Sequence, residues 1–198
     1  CMIMFLGDEI MQEQDGIMVN FDTISLEALQ VHQFFGEVNP ETAYNACNFI
    51  LKSNLLYHEP VPLTMILNTV GGECGEGFAV IDTMLSSRLP VHTVGIGSIM
   101  SMGVLLLTAG YKGQRKITKN TEVMAHQFSS SFYGKQHELV ATSRSFKMLE
   151  QRMQRHFVKH TTMSAAEVKD VLFAPSDRYL TAKECKRYGI CDIIVDHL

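Results

Sequence analysis

The sequence predicts an α/β fold built on a largely parallel sheet. Three observations carry that prediction. Short apolar runs alternate with segments of helical periodicity, the runs close on Gly- or Ser-containing loops, and neither a linker nor a fixed-period repeat divides the chain. The length of 198 residues fits one domain, 1–198, at roughly 100–200 residues each, and 46% apolar with 19% charged residues supplies a sizeable core.

Residues 1–30 stand apart. Asp8, Glu9, Glu13 and Asp15 make them acidic, and Asp15-Gly16 between Ile10-Met11 and Ile17-Met18-Val19 is a hairpin signal, with an ordinary terminal turn as the alternative. Residue 1 is Cys, so a trimmed or processed N-terminus is expected, and the apolar patch 2–6 is too short, and lacks a preceding basic residue, for a secretory signal.

From there the chain alternates. Residues 30–35 read as a strand ending at Gly36. Asn39-Pro40-Glu41 supplies an N-cap, a Pro in the first helical position and an acid in the first turn, and Ala43, Ala46, Cys47 and Ile50 share one face of the helix that follows. Residues 62–67 form a second strand. Gly71-Gly72 opens a loop, and the next helix turns Phe78, Ile81, Met84 and Leu85 inward until Pro90 stops it. A buried strand is expected at 91–96, a loop at 97–100, a helix at 101–109 and a strand at 121–126. A long helix of mixed charge covers 136–160. Ser164-x-x-Glu167 is a capping box, a short helix at 181–188 ends at Gly189, and 193–195 is a last strand.

Composition removes several function classes. With 17 basic and 21 acidic residues the net charge is −4, which lacks a nucleic-acid footprint. Cys1, Cys47, Cys74, Cys185 and Cys191 are odd in number and form no C-x-x-C pair, so they read as free thiols in a reducing compartment. The run 89–111 has no Asp, Glu, Lys or Arg and is long enough to cross a bilayer, but its glycines and serines split it into two buried elements. A soluble, cytoplasmic protein is expected. Neither G-x-G-x-x-G nor a P-loop motif is present, which argues against dinucleotide or ATP binding. His156 and His160 have i, i+4 spacing without the zincin glutamate and read as structural.

Serine chemistry fares better. Ser101 stands where a buried strand gives way to a helix, so the unpaired N–H groups of the first helical turn can hold a developing oxyanion; the alternative is a plain helix cap. His126 ends an apolar strand and could serve as base, and Asp177, in an irregular stretch before a helix, could orient it; their alternatives are a core histidine and a turn or cap. The hydrolase elbow G-x-S-x-G does not apply, because residue 99 is Ile.

Five segments, in order over residues 31–196, resemble ClpP, the proteolytic subunit family of the Clp protease. They are Asn68-Thr-Val-Gly-Gly72, Ala79-Val-Ile-Asp-Thr-Met84, the run from Gly97 through Ser101 to Arg115, Val123-Met-Ala-His126-Gln127, and Asp177-Arg-Tyr-Leu-Thr-Ala182 with Tyr188-Gly189 and Asp192. The resemblance implies a ClpP/crotonase-like fold with a protruding strand–helix handle at 128–160 and an axial-loop-like segment at 1–30. It implies Ser101 as nucleophile, His126 as general base and then acid, Asp177 as the orienting group, and the N–H groups of Gly72 and Met102 as the oxyanion hole.

It further implies two stacked heptameric rings of this chain that cleave unfolded polypeptides to short peptides beside a ring-shaped ATPase unfoldase. That partner uses the ATP; the chain itself would need no metal or other cofactor and would bind neither nucleic acid nor membrane. The compartment would be cytoplasm, an organelle stroma or matrix, or an infected cell's cytoplasm. Val70 and Phe128 stand where the family has Pro, and about two extra residues near Ala174-Pro175 precede Asp177, which marks a divergent member. Two other classes compete: a catalytically silent ring subunit, and a crotonase-type enzyme acting on acyl-CoA.

Overall fold

Most of the expected apolar runs become parallel strands, each feeding a helix. The structure, a computed structural model, describes residues 25–58, 61–127 and 133–197, and before them the backbone of three strands, β1 (Met2–Leu6), β2 (Glu9–Gln14) and β3 (Ile17–Asn20). These three form a separate antiparallel sheet in which Gln14 pairs with Ile17. The expected turn residues Asp15 and Gly16 lie outside the described residues, as does the 128–132 part of the expected handle.

A second sheet of seven strands frames the rest. A 3-10 turn (Leu26–Leu29) leads into β4 (Val31–Phe35), followed by α1 (Pro40–Leu56), β5 (Leu63–Thr69), α2 (Cys74–Ser86), β6 (Val91–Met100), α3 (Met102–Thr108), β7 (Arg115–Thr118) and β8 (Glu122–Ala125). Then come α4 (Gln136–His160), α5 (Ala165–Glu167) running into a π turn, β9 (Arg178–Leu180), α6 (Ala182–Arg187) and β10 (Ile193–Val195). The main path is β10-β7-β6-β5-β4, all parallel; β8 adds to β6 in parallel, and β9 to β8 antiparallel. This is the mixed α/β class with a mostly parallel sheet.

Local chemistry accounts for the elements. Asn39 Oδ1 accepts from the N–H of Glu41 and Thr42 at 3.0 Å each, Thr42 Oγ1 accepts from the Asn39 N–H, and Pro40 needs no donor partner at its place. The helix so started buries Ala43, Ala46, Phe49 and Ile50. The second helix buries Phe78, Ile81 and Met84, but Leu85 is 47% exposed: it sits in the last turn, at the rim of an open cavity also lined by Leu89, Tyr111 and His160. The uncharged run 89–111 is mostly β6 followed by α3, every residue of which is buried. Among the described residues no helix is long and apolar enough to cross a membrane.

Three local expectations change. Residues 97–100, read as a loop, continue β6, which pairs with β7 through Gly95 and with β8 from Ser98 to Met100. Two short strands were missed. The first, β7, carries Arg115, whose burial depends on Asp192: Nε donates to Oδ2 at 2.8 Å, and Arg115 is 2% exposed. The second, β9, follows directly on Asp177.

Candidate active site

The C-terminal ends of β5, β6 and β8 converge, the place where a parallel sheet presents loops to a ligand. The Gly71-Gly72 loop follows β5, Ser101 follows β6, and His126 follows β8. Because Met100 pairs with Met124, Ser101 and His126 leave adjacent strands almost level with each other. The Ser101 N–H donates to Met124 O at 2.8 Å, which pins the serine backbone to the strand that carries the histidine. Ser101 Oγ lies 2.8 Å from His126 Nε2.

The serine backbone is unusual. Ser101 has φ 53° and ψ −120°, and Gln30 is the other non-glycine residue with positive φ among the described residues. An L-residue held there stores strain. Ser101 occupies the N-cap position of α3, yet its side chain makes no capping bond; the hydroxyl turns to His126 instead. The plain-cap alternative therefore does not describe this geometry.

The glycine loop lies directly on that turn. Gly71 has φ +92°, and a Cβ there would stand 2.7 Å from Ser101 Cβ and 3.0 Å from the Met102 nitrogen. Its N–H donates to the buried Thr69 Oγ1 at 3.0 Å, a support that nothing in the local sequence pattern announces. Gly72 forms a parallel bridge with Val38, in which Val38 N–H donates to Gly71 O and Glu73 N–H to Val38 O, each at 2.8 Å. Those two bonds occupy the side facing Val38, so the Gly72 N–H points away from it. Among the described residues, neither the Gly72 nor the Met102 N–H donates a hydrogen bond. Two unpaired donors thus belong to the two backbone segments in contact at Ser101, as an oxyanion site requires.

Asp177 stands at the edge of the β8–β9 ladder. The two strands pair as Val123↔Leu180, Met124↔Tyr179 and Ala125↔Arg178, and the pairing ends there, with His126 and Asp177 the next residues on each side. Gln127 Nε2 reinforces this by donating to Phe173 O at 2.8 Å. The Asp177 side chain is nevertheless exposed, and among the described residues no hydrogen bond joins it to His126. The structure brings Ser101 and His126 into contact and does not close a link from either to Asp177.

His156 and His160 serve packing. His156 Nε2 lies 3.1 Å from Leu105 O and 3.0 Å from Thr108 Oγ1; a carbonyl accepts, so Nε2 carries the proton. Burial, with His160 stacked at 4.5 Å between centroids, pushes the His156 pKa down to about 3 and leaves the ring neutral. Burial likewise pushes the thiols of Cys185 and Cys191 up to about 12 and about 11, and raises Cys74, so none is a ready nucleophile. Among the described residues no group of three or more His, Cys, Asp or Glu could hold a metal ion. A family model described as Clp protease matches residues 27–198 of the chain.

Proposed function

The chain belongs to the Clp protease family, and from that premise we propose that it is a working serine endopeptidase subunit with Ser101 as its nucleophile. The observation that carries the reading is the 2.8 Å contact between Ser101 Oγ and His126 Nε2 at a strained turn flanked by unpaired N–H groups. With Nε2 unprotonated, the serine hydroxyl donates to it. As Oγ attacks a peptide carbonyl, His126 takes its proton, and the carbonyl oxygen becomes an oxyanion received by the N–H groups of Gly72 and Met102. His126 then returns the proton to the leaving amine, giving an acyl-enzyme, and water repeats the sequence to release the acid. Asp177, the residue before β9, would hold the imidazole in the tautomer with Nε2 free and stabilise its charged form.

The family's habit extends the proposal: two stacked heptameric rings, substrate unfolded and fed by a ring-shaped ATPase, residues 128–160 as the handle between rings, and residues 1–30 as axial loops. ATP would be used by that partner, and the chain would need no cofactor of its own. The cytoplasm or an equivalent reducing compartment would suit its free thiols.

One observation favours a second reading, a catalytically silent ring subunit: the exposed Asp177 carboxylate makes no bond to His126. Fluorophosphonate labelling combined with native mass separates the two. An active subunit labels at Ser101 in the assembled protein, and Ser101→Ala loses both label and peptide hydrolysis at unchanged mass. Full residual cleavage in Ser101→Ala would sink the first reading, and an assembled protein that takes no label would favour the second.

A further inference from the structure

We infer that Asn68 is a positioning residue for the nucleophile, acting through the bulge that swings β6 from β7 to β8; the inference rests on Ser101 being the nucleophile, as proposed above. The two central strands run in register from Leu63↔Val91 to Leu67↔Gly95 and resume at Thr69↔Ile99. Asn68 alone therefore stands against Ile96, Gly97 and Ser98. A bulge of this kind interrupts the ladder and leaves backbone groups in need of other partners. The Ser98 N–H finds one in Asn68 Oδ1 at 3.1 Å. Gly97 has φ +57°, and a Cβ there would stand 2.7 Å from the same Oδ1, so the amide and the missing side chain fit together.

The other flank is also held by a side chain. Thr121 Oγ1 donates to Gly95 O at 2.9 Å and accepts from the Thr118 N–H at 3.1 Å. Before the bulge, β6 pairs with β7; after it, Ser98, Ile99 and Met100 pair with Glu122, Val123 and Met124 of the strand that leads to His126. The Asn68 amide thus fixes the point, three residues before Ser101, at which β6 changes partners. Without it the Ser98 N–H has no acceptor and the register beyond is free to relax. Reacting groups displaced by about 1 Å lose on the order of 100-fold in rate.

The experiment compares Asn68→Leu, which keeps the branching and heavy-atom count and removes the acceptor, with Asn68→Asp, which keeps an acceptor. Peptide hydrolysis and fluorophosphonate labelling are measured on the assembled protein. In Asn68→Leu, kcat and labelling rate should fall roughly 30–100-fold with KM within about twofold and native mass unchanged, and Asn68→Asp should recover to within about fivefold of the unmutated protein. Unchanged kcat, a loss carried by KM, or equal losses in the two variants overturns the role. Should Asn68→Leu not assemble, Thr121→Val releases the other flank: a fall in kcat at constant KM supports the proposal, and an unchanged kcat overturns it. An unmutated assembled protein that takes no label at Ser101 overturns the nucleophile reading itself, and is distinguishable from all of these.

Discussion

Replacing Ser101 by Gly and by Ala separates the strain at this residue from its chemistry. Both variants lose the 2.8 Å contact with His126, so that loss cancels between them. They differ in the backbone: Ala must be held at φ 53°, ψ −120°, whereas Gly adopts that conformation freely. Strain of this kind costs about 1–3 kcal/mol. Glycine's greater freedom in the unfolded chain offsets about 0.5–1 kcal/mol of the relief. Ser101→Gly should therefore be more stable than Ser101→Ala by up to about 2.5 kcal/mol, a difference of up to roughly 10 °C in Tm for a chain of this size. The assay is thermal unfolding of both variants at equal protein concentration, since the proposed assembly would make Tm concentration-dependent. Both should be inactive. If Ser101→Ala melts above Ser101→Gly, the turn is not strained and the reasoning fails.

Two further outcomes are expected. The buried neutral ring of His156, with its pKa lowered from 6.5 to about 3, contributes stability that is full above pH 6.5 and lost as pH falls toward 3. Between those values the unfolded chain takes up a proton that the folded chain refuses, at up to about 1.4 kcal/mol per pH unit. His156→Gln should flatten the pH dependence of unfolding between pH 6 and 4 by up to roughly one proton; an identical slope would refute the assignment. Asp192 receives Arg115 Nε at 2.8 Å, the Arg115 N–H at 3.0 Å and the Gly113 N–H at 2.7 Å. Burial alone would raise its carboxyl, but the Arg115 bonds outweigh burial and hold it below the usual range. Asp192→Ala strands a buried guanidinium and should cost about 3–5 kcal/mol in urea unfolding, and a loss under about 1 kcal/mol would show the pair to be dispensable.

What could be read from residues alone follows the range of the forces involved. Helix α1 was legible because its cap, its proline and its apolar face all lie within a few residues of one another. The Gln136–His160 helix is long and periodic, and it appears with those bounds. By contrast, Gly97-Ser98 has the composition of a turn and is strand, because its partners, Asn68 and Glu122, stand 30 residues before and 24 after Ser98. Arg115 in β7 carries a charge that argues against a buried strand until Asp192, 77 residues later, is placed beside it. At the site, the chain order of Ser101, His126 and Asp177 was visible, and the β8–β9 pairing, which no local pattern announces, ends at Ala125 and Arg178, the residues next to His126 and Asp177. The direction of its carboxylate depends on side-chain packing, and no spacing rule encodes that.

The antiparallel strand that flanks His126 has a consequence in time. β8, which leads to His126, lies between β6 and β9, and Arg178–Leu180 follow it in the chain by more than fifty residues. At roughly 5–20 residues per second, a growing chain spends about 3–10 s with Ser101 and His126 already made and that flank open. Throughout that interval the strand that leads to His126 has a neighbour on one side only. On the proposed function, the chain thereby carries its own delay: β8 gains its second neighbour only after residue 180 has been synthesised and has folded back.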